Sequence, residues 1–237
     1  VRGQENFSFE YDDRWLNSFE SSYSLDPDLS LYRGRQYTPL DKSLFGLFAD
    51  SCPDRWGRML MNRKEAIDAR KPRKLTESDF LLGVYDESRM GALRFTLEEG
   101  GDFLSNEKAF ATPPWVNLRT LENASISFEN DDSGLNERWL KELLAPGSSL
   151  GGARPKATVQ AADGALWIAK FPSKHDEYNS GAWEKVVHDL AGLCGLTVPE
   201  SKLETFSKTG STFLVKRFDR IGKKRIHFAS AMTLLGK

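Results

Sequence analysis

The chain has 237 residues, of which 39% are apolar and 28% charged, and its formal net charge is −1. This is ordinary globular composition, enough for one large domain or two small ones. A charge so near zero argues against gripping DNA or RNA by bulk electrostatics, and no apolar run approaches the ~20 residues of a membrane span.

Cys52 and Cys194 stand far apart, and His175, His188 and His227 lack metal-ligand spacing with either of them. Two free thiols and no metal site are expected. No signal-peptide pattern opens the chain, so a cytoplasmic location is expected. Both ends read as cropped: the chain opens on Val1, and the last residues, 229–237, are helix-compatible without a polar tail.

Phe7-Ser8-Phe9-Glu10-Tyr11 alternates apolar and polar and predicts a strand. Asp12-Asp13 caps a short turn containing Trp15. Residues 22–42, rich in Ser, Pro, Asp and Gly, read as loop. The run 44–49 has helical period. Pro53 fits the first turn of a second helix, over Arg55 to Ala69, which carries Trp56, Met59, Leu60 and Ile67 among charges. Thr76 to Asp79 starts a short helix through Leu82, and 90–96 reads as a strand. Residues 98–136 form a linker-like break between two halves, with Leu118 to Ile126 helical inside it. Glu137 to Ala145 reads as a helix ended by Pro146-Gly147.

The second half carries the chemistry. A small-residue loop, Gly147 to Gly152, leads into the strand Ala157-Thr158-Val159, and a turn at Asp163-Gly164 follows. A second apolar strand, 166–169, delivers Lys170. Ala182 to Cys194 spaces Trp183, Val186, Val187, Leu190, Ala191 and Cys194 as a helix with one buried stripe. Two more strands, 202–206 and 211–218, form a hairpin around Lys208-Thr209-Gly210. Loop, strand, strand with lysine, helix, strand, strand is the order of a kinase small lobe. There, backbone N–H groups surround phosphate, a strand lysine neutralises it, and a helix carboxylate holds the lysine. Glu184 is the candidate carboxylate, with Glu177 competing. The loop fits neither the Walker A pattern nor Gly-x-Gly-x-x-Gly.

Several ordered segments carry a family resemblance. They are Ser148 to Lys156, Trp167 to Ser173, Leu196-Thr197-Val198-Pro199 and Val215 to Arg220, together with Phe9-Glu10-Tyr11, Leu44 to Asp54 and Leu81 to Phe95 in the first half. The sequence is similar to the HipA family, bacterial serine/threonine kinases that act as toxins of toxin–antitoxin pairs. The resemblance implies an α+β fold: a HipA-like N-terminal subdomain at 1–97, the linker region 98–136, and a kinase-like small lobe at 137–237 with an antiparallel sheet and one main helix. It further implies Ser149 as the autophosphorylation site, and Gly151, Gly152, Ala153, Arg154, Pro155, Lys156 and Lys170 around the ATP phosphates. Lys216, Arg217 and Phe218 would form the hinge against adenine; Phe218 as a plain core aromatic is the rival reading. ATP and Mg2+ are the implied cofactors. A helix-turn-helix antitoxin (HipB-like) and a protein substrate of the aminoacyl-tRNA synthetase class are the implied partners.

The sequence also departs from the family. The base aspartate, its asparagine and the metal-binding aspartate do not read in the 18 residues after Asp219, which itself belongs to the hinge motif. The expectation is therefore a chain that binds ATP weakly and turns over negligibly by itself. The alternative is a non-catalytic protein that docks an antitoxin or a separate kinase chain.

Overall fold

A computed structural model of the chain describes residues 5–18, 23–68, 71–105, 112–130, 143 and 152–236. In the first half, β1 (Ser8–Phe9) pairs antiparallel with β2 (Gln36–Tyr37), a small ladder inside the stretch expected to be loop. Helix α1 (Asp13–Leu16) is capped by the Asp12 carboxylate, which accepts from the Arg14 N–H. α2 is Gly46–Ala49 and α3 is Arg55–Asp68. Asp54 accepts from the Gly57 N–H at 2.9 Å and so caps α3, which leaves Pro53 just before the cap. α4 (Glu77–Leu82) starts with a Thr76/Asp79 capping box. Arg58 on α3 grips Glu77 on α4 through two bonds of 2.7 Å.

The strand expected at 90–96 is absent. The segment joins no ladder, because its polar groups serve other partners: the Gly91 N–H goes to the Asp219 carboxylate and the Phe95 carbonyl accepts from Leu104. Tyr11, Leu29, Phe45 and Leu47 form the core of this half.

The second half is built on one four-stranded antiparallel sheet of order β3-β4-β6-β5. The strands are β3 (Lys156–Gln160), β4 (Leu166–Lys170), β5 (Ser201–Glu204) and β6 (Thr212–Lys216). Lys156 lies opposite Lys170, and Lys170 opposite Phe213. Helix α5 (Leu118–Glu129) covers one face of the sheet. Its Leu118, Leu121 and Ala124 join Ala157, Val159, Trp167, Ala169 and Leu214 in the largest core, where Trp56 and Leu60 of α3 also insert. The stretch 98–136 thus contains an element packed into the core of the second half. Of the helix expected at 137–145, only Leu143 lies within the described residues, and it is buried.

α6 (Ser180–Leu193) crosses between β4 and β5. The expected buried stripe on this helix is overturned: Trp183, Val187 and Leu190 are 59%, 63% and 53% exposed. The helix meets the sheet with a different row. Gly181 is its one buried residue, Glu184 reaches Lys170, and His188 lies against the Phe213 ring at 5.7 Å. These positions recur every three to four residues and so share a face. The apolar row is turned away from that face. Beyond β6, β7 (Arg220–Ile221) and β8 (Lys224–Arg225) form a short hairpin, followed by α7 (Ala231–Leu234). No helix among the described residues is long and apolar enough to cross a membrane.

Candidate nucleotide site

Lys170 ends β4 because the apolar run Leu166-Trp167-Ile168-Ala169 fills the sheet on both faces and leaves the first charged residue at the strand's rim. Its ammonium forms an ion pair and hydrogen bond with Glu184 Oε1, one turn into α6. The pair is partly exposed, with side chains 26% and 34% accessible. Lys170 also lies 5.7 Å from the Phe213 ring centroid. Glu177 stays exposed on the loop before α6.

Ser149 and Gly151 lie outside the described residues. Gly152 (φ +111°) and Ala153 are exposed at the start of the described loop. A residue with a side chain would be strained at Gly152, so the turn requires glycine there. Arg154 forks onto Asp176 with two bonds of 2.6 Å. Burial opposes ionisation of Asp176, yet Arg154 and the Ser173 N–H hold its carboxyl below the usual range. Pro155 is buried and its carbonyl accepts from the Phe171 N–H.

Lys156 does not face open solvent. Its side chain is buried, with Nζ donating to Asp54 Oδ2 at 2.6 Å. Burial, and then the charge of nearby Lys170, push this lysine below its usual range, while Asp54 opposes the shift. The first half therefore clamps the loop. The Trp56 N–H donates to the Gly152 carbonyl at 3.2 Å and Trp56 Nε1 to the Lys156 carbonyl at 3.0 Å. Asp54 and Trp56 were not singled out from sequence as site residues. They lie about a hundred positions from the loop they hold, and no local pattern announces such a pairing.

Past β6, the side chains of 216–218 diverge. Lys216 is half-exposed, 3.7 Å from Glu200. Arg217 is fully buried and turned toward the first half, where it donates to the Ser88 and Arg89 carbonyls and pairs with Asp219. Phe218 is 47% exposed and meets Phe228 edge-on at 5.5 Å.

The structure thus brings together Lys170, Glu184, Lys156 and the 152–155 backbone. It sets the side chains of Arg154 and Arg217 on other carboxylates. A strand ammonium fixed by a helix carboxylate beside a glycine turn can neutralise and position a polyphosphate. Among the described residues, no group of three or more His, Cys, Asp or Glu could hold a metal ion. Mg2+ is ordinarily held by one or two carboxylates together with substrate phosphates, and the carboxylates described beside the turn, Asp54 and Asp176, are taken by Lys156 and Arg154.

The architecture defines a two-part α+β protein. Residues 1–96 match the HipA N-terminal domain and residues 148–237 the HipA-like C-terminal domain. The chain belongs to the HipA family. No curated protein matches it.

Proposed function

We propose that this chain supplies the ATP-holding portion of a HipA-like serine/threonine kinase toxin. The observation that carries the reading is the Lys170–Glu184 pair, with Lys170 on β4 directly opposite Lys156 at the start of β3. Lys170 would bind the α- and β-phosphates, Glu184 would keep its ammonium aimed, and the 152–156 backbone would line the phosphates. Residues 216–218 would contact adenine through the backbone, and Ser149 would be the autophosphorylated serine. The full-length protein would transfer the γ-phosphoryl of ATP to a serine hydroxyl, with an aminoacyl-tRNA synthetase as the substrate class. A helix-turn-helix antitoxin would be its partner.

ATP should bind this chain weakly, with Kd on the order of millimolar. An NMR titration should move amides at 152–156, 168–170 and 216–218, and Lys170→Ala should weaken binding about tenfold or more. Equal affinity in wild type and Lys170→Ala removes the lysine from the pocket. In the full-length protein, Lys170→Ala should abolish phosphoryl transfer while the fold stays intact.

The exposed apolar row of α6 favours a second reading, a non-catalytic protein that docks an antitoxin or a separate kinase chain. A chain that leaves ATP unbound at any concentration yet forms a stable complex with the antitoxin would decide for it.

A further inference from the structure

A cavity of about 990 Å³ opens between the β3–β4 turn, the end of β6 and the β7–β8 hairpin, with Glu87 and Arg94 of the first half in its wall. Lys170, Glu184 and Phe218 do not line it. Six cations do: Arg94, Lys216, Arg217, Arg220, Lys223 and Arg225, against the carboxylates of Glu87 and Asp163.

The four arginines share two buried acids. Asp219 takes Arg217 and Arg220, and Asp86 takes Arg94 and Arg225. Two carboxylates therefore serve four guanidiniums. Among the described residues Lys216 pairs with Glu200 alone, at 3.7 Å, and Lys223 is exposed. Arg225 keeps Nη1 buried with no acceptor among the described residues. The crowding is visible in the arginines themselves. Burial, then the charge of Arg217, push Arg220 down to about 10, and burial with the charges of Arg94 and Arg217 lowers Arg225. Cations held this way in a low-dielectric wall gain from any anion brought among them.

The volume lies at the upper end of small-ligand sites, far more than one inorganic phosphate fills. Ala165, Leu166 and Ile221 add apolar wall. Guanidinium forks and ammonium groups suit phosphate oxygens. We propose that this cavity, which shares Lys216 and Arg217 with the proposed adenine hinge but is not lined by Lys170, Glu184 or the 152–156 loop, binds a small phosphorylated organic molecule carrying at least two negative charges. Lys223 and Arg225 would grip the phosphate, and Ala165 and Leu166 would flank the organic part. The proposal does not rest on kinase activity.

The test is calorimetric titration with inorganic pyrophosphate, without ATP, on four chains: wild type, Lys223→Glu, Arg225→Lys and Lys170→Ala. Lys223 sits exposed in a hairpin turn, so its variant should fold as wild type by circular dichroism. Arg225→Lys keeps a cation for Asp86 but removes the second fork. Each should weaken pyrophosphate about tenfold or more, the scale of one lost charge-assisted contact. Lys170→Ala should lose at most a second, independent binding component and keep the one that Lys223→Glu removes. Wild-type affinity in folded Lys223→Glu overturns the proposal. So does loss confined to Lys170→Ala, which would put the anion in the nucleotide pocket, and so does the absence of pyrophosphate binding at millimolar concentration.

Discussion

Asp219 ties the segment after β6 to the first half. It is fully buried and accepts from Arg217 (Nε at 2.9 Å, Nη2 at 2.6 Å), Arg220 Nη1 at 2.6 Å and the Gly91 N–H at 2.7 Å. Burial alone would raise its pKa, but the Arg217 bonds and the Arg217 and Arg220 charges win and hold it below the usual carboxylate range. Asp219→Asn leaves two guanidiniums buried beside a neutral amide and should cost about 3–5 kcal/mol in urea unfolding at pH 7. The sign with pH follows from the depressed value. The carboxylate's contribution is complete above its unfolded pKa of about 4 and is lost as pH falls through the lower folded value. The gap between wild type and Asp219→Asn should therefore close in acid, and a gap that stays constant to pH 2 contradicts the assignment. Asp54 and Lys156 invite a double-mutant cycle. Asp54→Asn preserves a good cap for α3 while removing the charge opposite Lys156. Combined with Lys156→Met, the coupling should fall within about 0.5–3 kcal/mol, and additive single effects would show that this ion pair contributes nothing to the clamp.

At the level of elements, α6 decides whether the site exists, and Gly181 decides where α6 sits. A Cβ at Gly181 would lie 1.9 Å from the Ser211 carbonyl oxygen. No side-chain rotation relieves a clash with backbone, so Gly181→Ala must push the helix off β6. The expected loss is about 1–3 kcal/mol, with Glu184 drawn away from Lys170 and ATP-induced shifts at residue 170 diminished. Val187→Lys, on the exposed row, should change stability by less than about 0.5 kcal/mol. A large loss there would mean that the row is covered in solution. This helix also marks the limit of what the sequence reveals. Its existence and its period were legible from Trp183, Val186, Val187 and Leu190, and so was the order of strands around Lys170. The direction of its apolar face was not, because periodicity groups residues by face without naming the face's neighbour. Gly181, Glu184 and His188, which meet the sheet, are small or polar and send no hydrophobic signal. The 90–96 segment failed for a related reason: alternation was present, but its hydrogen-bonding groups were claimed by Asp219 and Leu104, far along the chain or across a turn.

Two of the contacts that join the halves of the molecule differ in pH behaviour. One is apolar: Trp56 and Leu60 of α3 enter the core under the sheet. The other is a charged seam in which Arg217, Arg220 and Arg225 reach the carbonyls of 86–91 and the carboxylate of Asp86, with Asp219 holding two of them. Burial of the apolar pair is indifferent to protonation, whereas the seam loses its anchor as Asp219 titrates in acid. At pH 7 the wild type should unfold in one transition, with hydrogen exchange in the Phe45 and Leu47 region tracking exchange in β4 and β6. Near pH 3 the transition should move to lower temperature yet remain single, since Trp56 still bridges the cores. Trp56→Ala removes that bridge at a cost of about 3–5 kcal/mol. In this variant, acid should separate the transitions, with one half exchanging before the other. Two separate transitions in the wild type at pH 7 would mean that each half folds without the other. In that case the clamp of α3 on the 152–156 loop could not fix the loop's shape, and the Lys170 pocket would have to be set by the sheet and α6 alone.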